Sequence, residues 1–174
     1  MLKTLALVLL AALLLVLAYA TTRPDSFSIA RSTRIHAPPE RVWALIQDLK
    51  GFNRWNPWER KDPGKGKYGA TTAGPGATYA WASDKLGAGA MTVTAATPGR
   101  QVTLRLDFLE PMKATNIAEF TLLPEGDGTQ VTWAMSGQNN YLSKLMQVFF
   151  SMDRMVGDDF AAGLANLKAL AEAP

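Results

Sequence analysis

The residue types that support most hydrolytic and metal chemistry are scarce in this sequence. It contains no cysteine and a single histidine, His36. Thiolate nucleophiles, disulfides and cysteine-ligated metals are therefore excluded, as are multi-histidine metal sites and any Ser-His-Asp triad that does not use His36. Because His36 lies between the end of a predicted strand and two prolines, we place it in a surface loop. The sequence predicts no catalytic residue, no metal site and no cofactor.

Three carboxylates near the C-terminus are the remaining candidates for binding a cation. Asp153, Asp158 and Asp159 fall within a predicted helix. Spacings of five residues and of one residue divide these side chains between helix faces. The pattern therefore favours a solvated helix surface over a cation site.

The composition describes one globular domain and limits its partners. The chain has 174 residues, and 48% of them are hydrophobic, which is enough to bury a sizeable core. The formal net charge is only +3, from basic and acidic residues spread along the whole chain. Such a weak field argues against binding to nucleic acid.

Aromatic and methionine side chains give the clearest functional signal. Strand alternation and helix periodicity point them inward, where they would line an apolar, polarizable interior. Trp55 and Trp58 are three residues apart and would share one face of a helical turn, either closing one end of a cavity or filling core space. The predicted cavity residues are Trp55, Trp58, Tyr79, Trp81, Met91, Leu106, Phe108, Asn116, Phe120, Trp133, Met152, Val156 and Phe160.

Asn116 is the most informative polar residue of this set. Alternation puts it on the same strand face as Phe120, and a buried amide needs a partner, which backbone, water or a ligand would supply. Small residues would leave space nearby: Ala80, Ala118, Gly157 and Gly163. Gly163 either permits a close approach of helix to strand or leaves volume for a ligand.

The N-terminal segment is apolar enough to enter a membrane. No charge occurs between Leu5 and Ala20, a length near the lower limit for a transmembrane helix. The length of this run and Tyr19 at its end favour a retained anchor, whereas Ala18-Tyr19-Ala20 also fits a signal-peptidase site, with cleavage after Ala20. Lys3 favours an inner N-terminus, so both alternatives place the domain outside the cytoplasm, on the periplasmic side.

Periodicity and turn residues predict the elements that hold these side chains. A first strand at Phe27–Ile35 leads through two prolines into an amphipathic helix, and period-two strands follow from about Ala77 to Ser136. A helix of about 45 Å is predicted from Tyr141 to Ala171, with Leu142, Leu145 and Phe149 toward the sheet. The pattern predicts an α+β helix-grip fold, in which about seven antiparallel strands wrap around a long C-terminal helix.

Five motifs carry a resemblance to a known family. They are STRIHAPPERV (Ser32–Val42), FNRWNPW (Phe52–Trp58), TYAW (Thr78–Trp81), AEFTL (Ala118–Leu122) and the closing helix at Gly163–Leu170. The chain resembles a membrane-anchored member of the START-like superfamily, also called SRPBCC or polyketide cyclase/dehydrase and lipid-transport-like proteins. This resemblance implies a cavity between the sheet and the C-terminal helix, and we expect it to be closed, apolar and a few hundred Å³ in volume. It divides the chain into an N-terminal anchor or signal peptide (1–22), a linker (23–26) and one ligand-binding domain (27–174).

Three functions are compatible with these features. The first is non-enzymatic binding or transport of a hydrophobic, lipid-like small molecule, with the membrane as a further partner through the N-terminal segment. The second is a cyclase- or hydrolase-type enzyme in which Asn116, Tyr79 or Asp107 steers a proton, although no base is evident. The third is an envelope adaptor that binds another protein. The absence of an evident base favours the first, and the sequence leaves the oligomeric state open.

Overall fold

Period-two strands build a single antiparallel sheet. The computed structural model describes residues 1–174, and its seven strands follow the order β1-β7-β6-β5-β4-β3-β2. They are β1 (Ser26–Ile35), β2 (Gly66–Tyr68), β3 (Thr78–Ser83), β4 (Gly87–Thr97), β5 (Gln101–Glu110), β6 (Ala114–Glu125) and β7 (Gly128–Gln138). All neighbouring strands run antiparallel, so the predicted α+β architecture and strand number are confirmed.

Helices occupy three places around this sheet. They are α1 (Leu2–Thr21) before it, α2 (Pro39–Gln47), α3 (Leu49–Asn53) and α4 (Pro57–Lys61) between β1 and β2, and α5 (Tyr141–Phe149) and α6 (Met152–Ala171) after β7. Prolines begin α2 and α4, where the fixed φ angle suits the helix and the missing N–H is not needed. Asn56 caps α4 by accepting a hydrogen bond from the Trp58 N–H at 3.1 Å.

The single C-terminal helix predicted from Tyr141 to Ala171 is wrong, because two helices are present. Phe150 adopts an extended conformation, with φ −126° and ψ 137°. Ser151 then begins α6 by accepting a hydrogen bond from the Arg154 N–H at 3.3 Å. Serine is a preferred N-cap residue, so it supports a new helix start that the apolar periodicity conceals.

The break also separates the surroundings of the two helices. α6 packs against β1, α2 and α4, whereas α5 packs against α1. Leu142 and Phe149, which were predicted to face the sheet, are exposed, and Leu145 is only half-buried. The helix that the sheet grips is therefore α6 alone.

Irregular pairing and glycine spacing shape the inner face of the sheet. The β4–β5 register shifts between Ala88 and Gly89 and again after Val93, and such bulges bend and twist a strand. Gly89 lies opposite Trp81, and a Cβ there would come within 2.5 Å of the indole. Only glycine at this position leaves room for the Trp81 ring on the inner face of the sheet.

A short hydrogen-bonded segment joins α1 to the sheet domain. α1 is long and apolar enough to cross a membrane, a property that transmembrane anchors and signal sequences share. After it, the carbonyls of Pro24 and Asp25 accept hydrogen bonds from Asn139 Nδ2 (3.0 Å) and N (2.7 Å). The Asp25 carboxylate also pairs with Lys144 of α5. The C-terminal end of α1 is therefore held beside the start of α5.

Candidate functional site

A cavity of about 480 Å³ lies between the inner face of the sheet and the helices. Strands β3 to β7 supply one wall, while Phe52 of α3, Trp58 of α4 and Val156 of α6 contribute to the other. The lining is mostly hydrophobic, and the volume falls within the range of small-molecule sites. A cavity of a few hundred Å³ was predicted here, between the sheet and the C-terminal helix.

An aromatic cluster forms one end of the cavity. The Trp133 ring stacks on Phe160 with a centroid distance of 4.0 Å and an interplanar angle of 8°. Phe120 lies 4.9 Å from Trp133, and Trp58 meets it edge-on at 5.8 Å. Contacts of this kind contribute about 0.5–1.5 kcal/mol each beyond the burial of apolar area. This end is therefore rigidly packed.

The opposite end opens to the surface. Its rim includes Pro111 and Lys113 between β5 and β6, Ser143 of α5, and Met155 of α6, which is 58% exposed. The cavity predicted as closed is therefore open on this side. Four alternate residues of β6, beginning at Ala114 near the rim and ending at Phe120, line it. At about 3.3 Å per residue they mark a groove about 20 Å long, which suits an elongated ligand.

Two polar groups on cavity residues are poorly satisfied. Asn116 is 7% exposed, and its only side-chain hydrogen bond is a weak one from Nδ2 to the thioether of Met135, at 3.8 Å. The Asn116 side chain lies over Gly137, where a Cβ would come within 2.1 Å of Oδ1. The buried Trp133 Nε1–H has no partner. An unpaired buried group costs about 1–3 kcal/mol, and a ligand that hydrogen-bonds to the Asn116 amide would recover part of this cost.

One strong hydrogen bond also lies in the cavity wall. The Tyr79 hydroxyl donates to Glu59 Oε2 at 2.5 Å, and Glu59 Oε1 accepts from the Gly64 N–H at 2.7 Å. Burial, followed by this hydrogen bond to a carboxylate, raises the pKa of Tyr79 well above its ordinary value of 10.0. Tyr79 is therefore a neutral hydrogen-bond donor at physiological pH. Together, the Glu59 carboxylate and the protonated Tyr79 hydroxyl place an acceptor and a donor on the wall of an apolar cavity.

Comparison with known proteins identifies the family. The model of the family described as polyketide cyclase/dehydrase and lipid transport matches residues 26–172. The chain belongs to this family. The match covers the sheet and the helices that enclose the cavity, and it begins after α1. No curated protein matches this sequence.

Solved structures share the fold of this family member. Protein CV1439 from Chromobacterium violaceum has a TM-score of 0.62 at 19% identity, covering 87% of this chain and 100% of its own. The Aha1 dimer from Colwellia psychrerythraea has a TM-score of 0.60 at 17% identity, covering 84% of this chain and 96% of its own. A protein from Rhizobium leguminosarum has a TM-score of 0.62 at 15% identity, covering 85% of this chain and 95% of its own. At these identities the similarity concerns the fold alone.

The predicted cavity residues of this SRPBCC protein come together, with one exception. All of them line the cavity except Trp55, which is fully buried behind it. The Trp55 Nε1–H donates to the carbonyl of Leu45 at 2.9 Å. The shared helical face predicted for Trp55 and Trp58 is wrong, because α3 ends at Asn53 and Asn56 caps a new helix that begins between the two tryptophans. Only Trp58 reaches the cavity.

The four small residues predicted to leave space near the cavity lie in different surroundings. Ala118 lines the cavity, whereas Ala80 is exposed on the outer face of β3. Gly157 is covered by the guanidinium of Arg31, and a Cβ at Gly163 would come within 2.8 Å of Trp133. Gly163 therefore serves a close approach of α6 to the sheet, and the alternative that it leaves ligand volume is wrong.

The other chemical candidates lie outside the cavity. Asp107 is on the opposite face of β5, where Arg105 Nε and the Thr115 hydroxyl donate to it at 3.0 and 2.8 Å. These hydrogen bonds lower the pKa of Asp107, the one from Thr115 most. His36 is exposed, and its Nδ1 lies 3.6 Å from the Asp127 carboxylate. Neither Asp107 nor His36 lines the cavity.

The acidic cluster of α6 does not converge on one point. Asp153 pairs with Arg31 of β1 at 2.9 Å, and Asp159 pairs with Lys61 of α4 at 2.6 Å. No group of three potential ligands in the structure is arranged to hold a metal ion. The aspartates instead tie α6 to its neighbours on two sides.

Several lining residues were missed from the sequence. Phe27 of β1 has the period-two position of an inward residue, so alternation was a usable signal for it. Glu59 carried no signal, because its partner Tyr79 lies 20 residues away on another element. Arg31 also faces inward, opposite Trp133, yet it covers Gly157 and pairs with α6 rather than entering the cavity.

Proposed function

We propose that this protein binds or carries a hydrophobic, lipid-like small molecule in the cavity without transforming it. The observation that carries the proposal is an elongated apolar cavity of about 480 Å³, open at one end and bearing the poorly satisfied amide of Asn116 on its wall. Apolar contact supplies most of the affinity in such sites, and a few polar groups fix the orientation. A ligand with a long apolar body and one hydrogen-bonding group fits this arrangement.

Identification of the bound molecule is the direct test. Protein purified from its membrane in mild detergent is extracted with organic solvent and also examined intact by native mass spectrometry. We expect one ligand per chain, with a hydrocarbon or polycyclic body. Protein that carries no ligand and also fails to bind an added fluorescent fatty acid would contradict the proposal.

A filled cavity distinguishes specific binding from general surface hydrophobicity. Ala118→Leu adds three carbons where β6 lines the cavity, whereas Ala80→Leu makes the same change at an exposed position of β3. Because the added carbons occupy ligand volume, we expect Ala118→Leu to weaken binding of the fluorescent fatty acid about tenfold, equivalent to about 1.4 kcal/mol. The control should stay within about twofold. Equal losses in both variants would place the binding outside the cavity.

Asn116→Leu tests the polar anchor. A leucine removes a poorly satisfied amide, so thermal stability should hold or rise. If the amide holds the ligand, the same change weakens binding about three- to tenfold, the effect of one lost hydrogen bond of about 0.5–1.5 kcal/mol. A variant that loses stability and keeps its affinity would show that Asn116 has a structural role only.

The Tyr79–Glu59 hydrogen bond favours a second candidate function, a cyclase-type activity on the same ligand. A cyclisation that proceeds through an enolate requires a base and a nearby acid, and Glu59 and Tyr79 offer these on the cavity wall. Incubation with a linear polyketone, followed by mass spectrometry, separates the two functions. Conversion that is lost in Glu59→Gln would establish the enzyme, and unchanged substrate supports the carrier.

We also propose that α1 (within residues 1–22) remains as a membrane anchor and holds the domain, from residue 27 onward, outside the cytoplasm. Its length and apolarity support a membrane segment, and the tie between Asp25 and Lys144 supports a fixed connection across the linker at 23–26. N-terminal sequencing of membrane and soluble fractions tests this. Mature protein that begins at Thr21 and occurs only in the soluble fraction would show a cleaved signal peptide instead.

A further inference from the structure

Helix α5 and the residue that follows it present large apolar side chains to solvent. Leu142, Met146 and Phe149 recur at intervals of four and three residues, so they lie on one helix face. All three are exposed, Phe149 to 66%, and Phe150 beyond the helix is exposed to 58%. We call these four residues the apolar α5 face. A soluble domain would leave such a face uncovered, which indicates a partner.

The neighbour of α5 suggests what that partner is. α5 packs against the C-terminal end of α1, and the Tyr141 hydroxyl donates to the carbonyl of Leu17 at 3.1 Å. In α1, Ala20 is buried and Leu17 half-buried, whereas Leu2 to Leu15 are exposed. The apolar α5 face therefore adjoins a helix whose own exposed surface is suited to acyl chains.

The depth of α5 follows from the length of α1. Twenty residues at 1.5 Å each span about 30 Å, the thickness of the hydrocarbon core of a bilayer. Leu17 is four residues before the end of α1, or about 6 Å inside that boundary. Interfacial amphipathic helices bury their apolar side about 5–10 Å deep, so α5 lies at the depth such helices occupy.

We propose that α5 is an interfacial helix, whose apolar face inserts into the same bilayer that α1 enters. The continuity with α1 favours the bilayer over a second copy of this chain or another protein as the occupant. The open end of the cavity is next to this helix, since Ser143 of α5 and Met152 and Met155 of α6 line it. This open end, which we call the mouth of the cavity, then faces the membrane surface. A lipid-like molecule passes between the bilayer and the cavity without crossing bulk water. The insertion rests on the proposed membrane anchor, and this last consequence rests also on the proposed ligand binding.

Single-cysteine labelling tests the insertion, because the chain has no cysteine of its own. Full-length Phe149→Cys and Leu123→Cys carry an NBD fluorophore and are reconstituted into phosphatidylcholine vesicles containing spin-labelled lipids. Leu123 is a matched control, since it is 59% exposed and lies on β6, away from α5. We expect lipid quenching and a blue-shifted emission at position 149 and neither at position 123.

Two results would overturn the proposal. Equal, weak quenching at both positions would place α5 outside the membrane. Self-quenching at position 149 that grows with the protein-to-lipid ratio, without quenching by lipid, would mean that a second copy covers the face. In either case the cavity's affinity for a ligand is unaffected.

A second measurement separates the orientation of the mouth from the binding capacity of the cavity. The double variant Met146→Glu, Phe149→Glu changes residues that do not line the cavity, and Ile117→Glu, Leu123→Glu makes the same change on the outer face of β6. We expect the first pair to slow uptake of a pyrene-labelled phospholipid from vesicles at least fivefold, with equilibrium affinity for the fluorescent fatty acid unchanged. Unchanged uptake would refute the mouth's orientation, whereas loss of binding in every form would refute the proposed function alone.

Discussion

Gly163 and Gly157 lie on the same helix, yet replacing each with alanine should have opposite effects. A Cβ at Gly163 would lie 2.8 Å from Trp133 Cζ3 and 3.0 Å from Pro57 Cδ. Carbon atoms pack at about 3.5–4.0 Å, so α6 must move by roughly 0.5–1 Å or displace a ring that is stacked on Phe160. Overpacking of this kind costs about 1–3 kcal/mol, whereas alanine gains about 1 kcal/mol in helix propensity over glycine. We expect Gly163→Ala to lower the free energy of unfolding by up to about 2 kcal/mol.

Gly157→Ala is the matched control. The atoms nearest to its Cβ would be those of Arg31, 2.0 Å from Nη2 and 2.4 Å from Cζ, which form the far end of a flexible side chain. That guanidinium can move if its solvent-exposed pair with Asp153 is given up, and such pairs contribute little, so the gain in helix propensity should offset the loss and stability should hold or rise. Urea unfolding followed by tryptophan fluorescence measures both variants. If Gly163→Ala stabilises as much as Gly157→Ala, the close contact between α6 and Trp133 is not rigid and the reasoning is refuted.

Two pH effects complete the predictions. The folded state raises the pKa of Tyr79, so the contribution of this side chain to the free energy of unfolding is fully present below the unfolded pKa of about 10. That contribution is lost as the pH rises further. Urea unfolding between pH 9 and 11 should therefore show a steeper loss of stability for the wild type than for Tyr79→Phe. The hydrogen bond from Arg31 lowers the pKa of Asp153, so the stability lost in Asp153→Asn should be fully present above the unfolded value of 3.8. The difference between the two proteins should shrink as the pH falls further, through the lower folded-state pKa. Urea unfolding that shows the same difference at pH 6 and in strong acid would contradict this.

The sheet was predictable because the strands show an alternation of apolar and polar residues within their own sequence. Val102, Leu104 and Phe120 alternate with polar neighbours, and turn residues such as Gly126 and Asp127 separate the strands. Neither signal depends on distant parts of the chain. The seven-stranded antiparallel sheet and most of the cavity lining follow from alternation, since a residue's face is fixed once its strand is known.

Features that depend on distant contacts were not predictable in this way. Trp55 and Trp58 have similar local surroundings in the sequence, and only the cap at Asn56 directs one behind the cavity and the other into it. Glu59 lines the cavity and is hydrogen-bonded there to Tyr79, a residue distant in the sequence. Gly163 had two interpretations that only the position of the Trp133 ring distinguishes. In each case the position of the side chain depends on which helix or strand packs against it. The periodicity of the sequence carries no information about that packing.

The helix break after α5 shows why amphipathicity alone does not identify the surroundings of a helix. An apolar stripe indicates that water is disfavoured on one face, and it fits a protein core and a membrane interface equally well. In α6 the stripe containing Phe160 is buried by the sheet, whereas in α5 the stripe containing Phe149 is exposed beside α1. Had α5 continued α6 along the sheet, the helix would have run across the rim where Ser143 and Met155 now leave the cavity open. The Ser151 cap therefore does more than begin α6, because it leaves α5 free to pack against α1 and leaves an entrance between α5 and α6.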